Sequence, residues 1–323
     1  MLEASSPAKA ILFGEHAVVY GRPALAVALD RRMSVSARES KTFSVDGQTL
    51  KARKHRYVRW AMENLWNGSP LEFRTRSTIP SASGLGSSAA LSCSIVAIIR
   101  YLEGSWSEKV GALDSFEVEY NVQGKASPTD TSCSTHGSGI LVSFEPKDDL
   151  LWTIIKGETT WHIHHISPPE LEIVVGYTKR PSITPVQVNK VRDFYNRSGF
   201  AKETIDEIGS LVQEGLSALR KDDRVRIGEL MDRNHSLLSI LGVNSDELQK
   251  LKDAAAHYSY GAKLTGAGGG GSIIALTDRP ERTADAIRKR GGIPYIVKTT
   301  TVGTKITEDP SFPGAKNGTK SIK

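Results

Sequence analysis

The chain has 323 residues, 39% hydrophobic and 24% charged, the balance of a globular protein with a real core rather than a disordered or fibrous one. At roughly 150 residues per domain, this length fits two domains. The net charge of +6 suits anionic metabolites as well as nucleic acid and separates neither, while the longest uncharged apolar stretch, residues 89–99, is broken by Ser92 and Ser94 and falls short of the ~20 residues that span a bilayer.

Taken in chain order, no secretory leader opens the sequence, because Glu3, Ser5, Ser6 and Lys9 come too early for a basic region followed by an apolar one. Cys93 and Cys133 are the only cysteines and are expected as reduced thiols. A cytoplasmic protein without a membrane partner is the expectation. Short apolar runs at 11–13, 24–29, 33–37 and 139–144 predict strands, with helices over 57–66 and 87–101, the second apolar almost all round and therefore buried. The basic run Lys51, Arg53, Lys54, Arg56 and Arg59 around His55 lacks interleaved aromatics or a nucleic-acid motif, so a solvated helix face is expected there and no nucleic-acid partner. His162 and His164 alternate along a predicted strand with His165 beside them. With no cysteine or acidic partner nearby they read as a surface strand rather than a metal site.

Pro168-Pro169 marks a domain boundary, dividing residues 1–168 from 169–305. Beyond it the pattern predicts a strand over 171–177, amphipathic helices near 185–195, 202–219, 225–241 and 245–258, a strand over 272–276, a helix near 282–290 and a strand over 293–298. The polar segment 306–323, with Pro310, Pro313 and Gly314, reads as a disordered tail. The residues alone support a mixed α and β chain; they leave the oligomeric state undecided, with a homodimer as an option.

The strongest chemical signal is the glycine- and serine-rich loop 80–90, running into a buried helix. Backbone N–H groups in such a turn form an anion nest, and the helix N-terminus adds unpaired donors and a favourable dipole. Ser87 or Ser88 could cap the helix or ligate a phosphate-bound metal; an ordinary capped helix start is the alternative. The sequence has no P-loop lysine at the required spacing, no third Rossmann glycine where Ala89 stands, and no protein-kinase signature. Lys9 precedes the run 11–13 and is suited to a phosphate or a carboxylate, although a lone lysine is also commonly solvated. Glu15 and His16 could orient substrate hydroxyls, or form a structural pair. The glycine run 266–271 lets backbone pass close to another group. Asp130, after Ser127-Pro128, reads as a helix N-cap on its own.

The loop Gly84-Leu85-Gly86-Ser87-Ser88-Ala89-Ala90 resembles the signature of the galactokinase, homoserine kinase, mevalonate kinase and phosphomevalonate kinase superfamily. Residues 6–21, containing Gly14-Glu15-His16-Ala17-Val18-Val19-Tyr20-Gly21, resemble its first motif in the mevalonate kinase form, and residues 263–271 resemble the third. The resemblance implies a two-domain α+β fold with nucleotide and substrate in the cleft between domains. It implies ATP held by Ser83, Gly84, Leu85, Gly86, Ser87, Ser88 and Ala89, and magnesium on Ser88 and Glu119. Asp130 would be the catalytic base assisted by Lys9, with substrate contacts from Glu15, His16, Thr184, Thr265, Gly266 and Ala267. The implied reaction is phosphorylation of the 5-hydroxyl of mevalonate, an early step of isoprenoid synthesis. A sister kinase acting on a phosphomevalonate, homoserine or a sugar, or a catalytically silent binding paralogue, stands as the alternative. Ala17 and Val18 offer an apolar wall suited to a branched hydroxy acid. The chain departs from the family pattern at Ala8, where glycine is commoner, and at Ser182, where some members carry an arginine.

Overall fold

The computed structural model describes residues 1–80, 83–124 and 126–308. Ser81 and Ala82 of the glycine-serine loop, Lys125, and the tail residues 309–323 lie outside the described residues.

The chain opens on β1 (Leu2–Phe13), buried along almost its whole length and paired antiparallel with β2 (Ala24–Glu39). A single 3-10 turn, Ala17–Tyr20, joins them. The two apolar runs at 24–29 and 33–37 are one strand, because the charged stretch between them stays extended. The register shifts between Pro7 and Ala8, where proline has no N–H for the ladder, and Arg32 at this step donates to the carbonyls of Ser5 and Gly303 at 2.6 and 2.7 Å.

There follow β3 (Ser44–Val45), β4 (Gln48–Thr49), α1 (Arg56–Leu65), β5 (Leu71–Ser77), α2 (Ser87–Leu102), α3 (Glu108–Gln123), α4 (Thr129–His136), β6 (Gly139–Ser143), β7 (Leu150–Lys156) and β8 (Thr159–Ile166). One sheet orders them β4-β3-β5-β2-β6-β8-β7, with β1 branching from β2. Helices α2 and α4 pack on β1 and β2, so the loop before α2 and the first turn of α4 are both fixed against β1.

Beyond Pro168-Pro169 the chain builds a second sheet, ordered β10-β11-β9-β12 and antiparallel throughout. Its strands are β9 (Glu172–Tyr177), β10 (Gly261–Thr265), β11 (Ser272–Leu276) and β12 (Ile293–Lys298). With them come α5 (Thr184–Arg197), α6 (Gly199–Arg220), α7 (Arg224–Ile240), α8 (Asp246–Ala256) and α9 (Pro280–Lys289). A shared apolar core spans both halves, joining Leu12 and Leu25 to Ile205, Leu264 and Ile273. Among the described residues no helix is long and apolar enough to cross a membrane.

One helix was not expected from the sequence, and two expectations are corrected. Residues 108–123 form a four-turn helix capped by Ser107, whose Oγ accepts from the Val110 N–H at 3.2 Å. The histidine strand β8 lies inside the sheet between β6 and β7, where His164 is buried and bonded to Ser143 Oγ at 2.9 Å. The polar segment from 306 begins within a strand, β13 (Lys305–Glu308), which pairs with residues 2–5 of β1 while Ile306 packs against the core.

Candidate active site

A cavity of about 500 Å³ opens between the loop before α2, the first turn of α4, the 3-10 turn, α5 and the glycine run after β10. Its lining brings together Lys9, Glu15, His16, Gly84, Gly86, Ser87, Ser88, Glu119, Asp130, Thr184, Gly266 and Ala267, contributed by both halves of the chain. This volume falls within the range of small-molecule sites. Ser83, Leu85 and Ala89 are buried behind the loop and Thr265 behind the glycine run, outside the cavity lining.

The two glycine-rich segments touch backbone to backbone. Gly84 has φ +83°, and a Cβ there would meet the Thr265 carbonyl oxygen at 2.7 Å; Gly266 has φ +78°, and its Cβ would fall 3.0 Å from Gly84 Cα. Only residues without side chains fit this left-handed crossing. Gly86, at φ +74° and ψ +32°, is the N-cap of α2, so the helix starts without a side-chain cap and Ser88 is free for another partner.

That partner is Glu119 on α3. Its carboxylate accepts from Ser88 Oγ at 3.3 Å, from Ser92 Oγ at 3.2 Å and from the Gln123 amide. Burial first, then the neighbouring Asp130 charge, pushes Glu119 up to about 8. Gln123, one turn after Glu119, was missed in the sequence; reading the helix would have placed both on one face.

Lys9, 2% exposed on β1, reaches Asp130 Oδ1 at 2.9 Å and donates to the Gly84 carbonyl at 3.2 Å. Its backbone N–H donates to Leu85 O at 3.1 Å, tying the strand to the loop. The N-cap of α4 is Pro128, so Asp130 sits inside the first turn and faces Lys9 instead of capping the helix. A carboxylate at that helix end is also favoured by the dipole.

Glu15 is buried with both oxygens committed, one to the Lys263 ammonium and one to Asn234 Nδ2 at 3.0 Å. Lys263 also donates to the Ile11 carbonyl at 3.3 Å, and burial, opposed by Glu15, lowers its pKa. His16 stands at φ 61° and bonds through Nε2 to the Ala267 carbonyl at 3.0 Å. Burial lowers its pKa, outweighing the Ala267 bond and the Glu15 charge, so a neutral ring donates from Nε2 and keeps Nδ1 as an acceptor. On α5, Thr184, Val188 and Arg192 recur every fourth residue and all line the cavity. Arg192 was not singled out in the sequence, although its spacing from Thr184 was readable there. Ser182 Oγ donates to the Gly268 carbonyl at 2.7 Å.

Both cysteines are buried, and burial raises both thiols, Cys93 to about 12, so neither is a nucleophile at neutral pH. The basic run before and within α1 is mostly exposed, with Arg59 paired to Glu63 at 2.6 Å.

Residues 55–138 match the GHMP kinases N terminal domain and residues 216–293 the GHMP kinases C terminal family. A mevalonate kinase from Methanothermobacter thermautotrophicus is 35% identical over 84% of this chain and 89% of its own length. One from Thermococcus onnurineus is 36% identical over 94% of this chain and 98% of its own. The crystal structure of the Methanococcus jannaschii mevalonate kinase superposes with a TM-score of 0.73 at 25% identity, covering 93% of this chain and 98% of that one. The chain belongs to the mevalonate kinase family of the GHMP kinases.

Proposed function

We propose that the protein transfers the γ-phosphoryl group of ATP to the 5-hydroxyl of mevalonate, giving 5-phosphomevalonate and ADP. Curated relatives that align over most of the chain are named mevalonate kinases, which favours this reading over a sister kinase or a silent paralogue. The observation that carries the chemistry is the 2.9 Å pair between buried Lys9 and half-exposed Asp130, beside the Gly84–Gly86 turn.

A primary alcohol must lose its proton as it attacks, and phosphoryl transfer depends chiefly on positioning and on neutralising charge. In this reading the Gly86 to Ser88 backbone donors and the α2 N-terminus hold the ATP phosphates. His16 Nδ1 accepts a substrate hydroxyl, and Val18 and Val19 wall the methyl-bearing carbon. Asp130 takes the 5-hydroxyl proton while the new O–P bond forms and the bond from phosphorus to the β,γ-bridging oxygen breaks. Lys9, paired with Asp130 at 2.9 Å, holds that carboxylate in place and offsets charge on the attacking oxygen.

Glu119 and Ser88 fit a magnesium ion. Among the described residues no group of three or more His, Cys, Asp or Glu side chains could hold a metal. Magnesium, however, commonly takes one or two carboxylates and completes its shell with phosphate oxygens and water. A buried carboxylate pushed to about 8, with only neutral donors in contact, also suits a cation. When bound, such an ion neutralises charge on the transferring phosphoryl group.

The test is ADP release and single-turnover transfer with ATP and mevalonate. Asp130→Asn is expected to lower kcat by at least ~100-fold while ATP affinity, measured separately, stays within a few-fold. Near-normal turnover by this variant would remove Asp130 as the base.

A further inference from the structure

We propose that Arg192 on α5 is the receptor for the substrate's carboxylate and sets the preference for an acidic over a neutral alcohol, an inference that rests on the function proposed above. Ser182, which also lines the cavity, is neutral and commits its hydroxyl to the Gly268 carbonyl, so it brings no charge to a carboxylate.

Among the described residues, two cations of lysine or arginine type line the cavity, Lys9 and Arg192. Lys9 is neutralised by Asp130. Arg192 makes no hydrogen bond or ion pair with any of the described residues, whereas the cations around it are engaged. Arg180 pairs with Glu247 Oε1 at 2.6 Å, Arg197 donates to the Asp193 carbonyl at 2.9 Å, Lys190 donates to the Gly242 carbonyl, and Lys202 lies over the Tyr195 ring at 5.7 Å. A guanidinium left without a counter-charge in a cavity wall is a ready fork for a planar anion.

Its place favours the substrate over the nucleotide. Arg192 shares a face of α5 with Thr184 and Val188, and its charge is felt at Tyr20, which ends the 3-10 turn carrying Val18 and Val19. Stacking of Tyr20 on Tyr195, with centroids 4.2 Å apart, holds α5 to that turn. Among the described lining residues, Val18, Val19 and Val188 give this part of the cavity an aliphatic face, with Thr184 and Asn189 on the same helix as the Arg192 head. A short branched chain carrying a carboxylate at one end and a hydroxyl at the other complements Arg192, the valines and the Lys9–Asp130 pair.

The experiment compares R-mevalonate with 3-methylpentane-1,3,5-triol, in which a hydroxymethyl group replaces the carboxylate. Steady-state kinetics are run on the wild type, Arg192→Gln, Arg192→Lys and the same-helix control Arg197→Gln. Arg192→Gln is expected to raise the KM for mevalonate by about 10- to 100-fold, with kcat and the KM for ATP changing less than about threefold. Its kcat/KM for the triol is expected to move by less than about threefold, Arg192→Lys to recover part of the mevalonate loss, and Arg197→Gln to match the wild type. Equal losses on both alcohols would mark Arg192 as structural and overturn the assignment. An unchanged mevalonate KM, or a loss confined to the ATP KM, would overturn it as well. A wild type that phosphorylates neither alcohol, while turning over another, would defeat the function reading itself, a result distinct from any of these.

Discussion

Two lysine–carboxylate pairs stand at the cavity, and they differ in a way their sequences do not announce. Lys263 and Glu15 are 0% and 1% exposed, and Asn234 and the Ile11 carbonyl take up further hydrogen-bonding capacity. Lys9 and Asp130 are 2% and 37% exposed, so the cation is sealed while its carboxylate faces the cavity. The first pair cannot meet a substrate proton without coming apart. It fixes the turn that bears His16 to β10 and hence to the glycine run. The second keeps one partner rigid and leaves the other able to accept. Burial, rather than residue type, separates a pair sealed in the core from one whose carboxylate is open to the cavity.

Removing one member of each pair sharpens the contrast. Lys263→Met strands the Glu15 charge in the core and is expected to cost about 3–5 kcal/mol of unfolding free energy in urea. Glu15→Leu combined with Lys263→Met should recover much of that. Asp130→Asn should cost less, about 1–2 kcal/mol, because the amide oxygen still accepts from the sealed Lys9 and this side of the pair is open to the cavity. A stable Lys263→Met protein would break the comparison. Gly86→Val probes the link between the loop and the Lys9–Asp130 pair. Its Cβ would press on Lys9 Cγ and Cε at 3.0 Å from a backbone at φ +74°, a strain of about 1–3 kcal/mol. We expect roughly tenfold weaker ATP binding and a lower kcat with the fold retained, measured by nucleotide titration and circular dichroism; unchanged ATP affinity would detach the loop from the nucleotide.

Glu119 supplies the most graded effect. Its folded-state pKa of about 8 lies above the ordinary carboxylate value, so between the two the folded protein binds the extra proton. Metal-free stability is therefore expected to fall as pH rises through that window and to level off above about 8. Divalent-cation affinity should rise over the same window by up to ~10-fold per pH unit, because the ion competes with the proton. Glu119→Gln should flatten both profiles; a stability curve that keeps its slope in this variant would assign the titration elsewhere.

Much of the second half was legible, because its strands are short and its helices amphipathic. β11 and β12 were read at their observed bounds, and α6 to α9 within a few residues. Helix α3 was not, since its buried set includes Gly111, Ala112, Ser115 and Glu119 and forms no clean apolar stripe. Nor was β2 read as one strand, because Asp30, Arg31 and Arg32 interrupt its apolar run. The motifs named Lys9, Ser88, Glu119 and Asp130, and the fold brings these four to one wall. They could not name the partner of Glu15, because Lys263 lies 248 residues away and only the packing of β10 on β1 joins the two. Arg192 lay in plain view on a periodic helix but carried no motif.

The pairing of β13 with the start of β1 has a consequence for biosynthesis. Ser5 faces Lys305, and four positions beyond Ser5 the same strand presents Lys9 to Asp130. During translation the edge of β1 that β13 will cover stays open while the intervening chain is made, since the pairing reaches from Leu2 to Glu308. Unpaired strand edges invite association with other chains. The strand that carries Lys9 is thus made long before β13 and completes its pairing only once β13 exists, which places the interval most exposed to misassembly before the wall behind the cavity is finished.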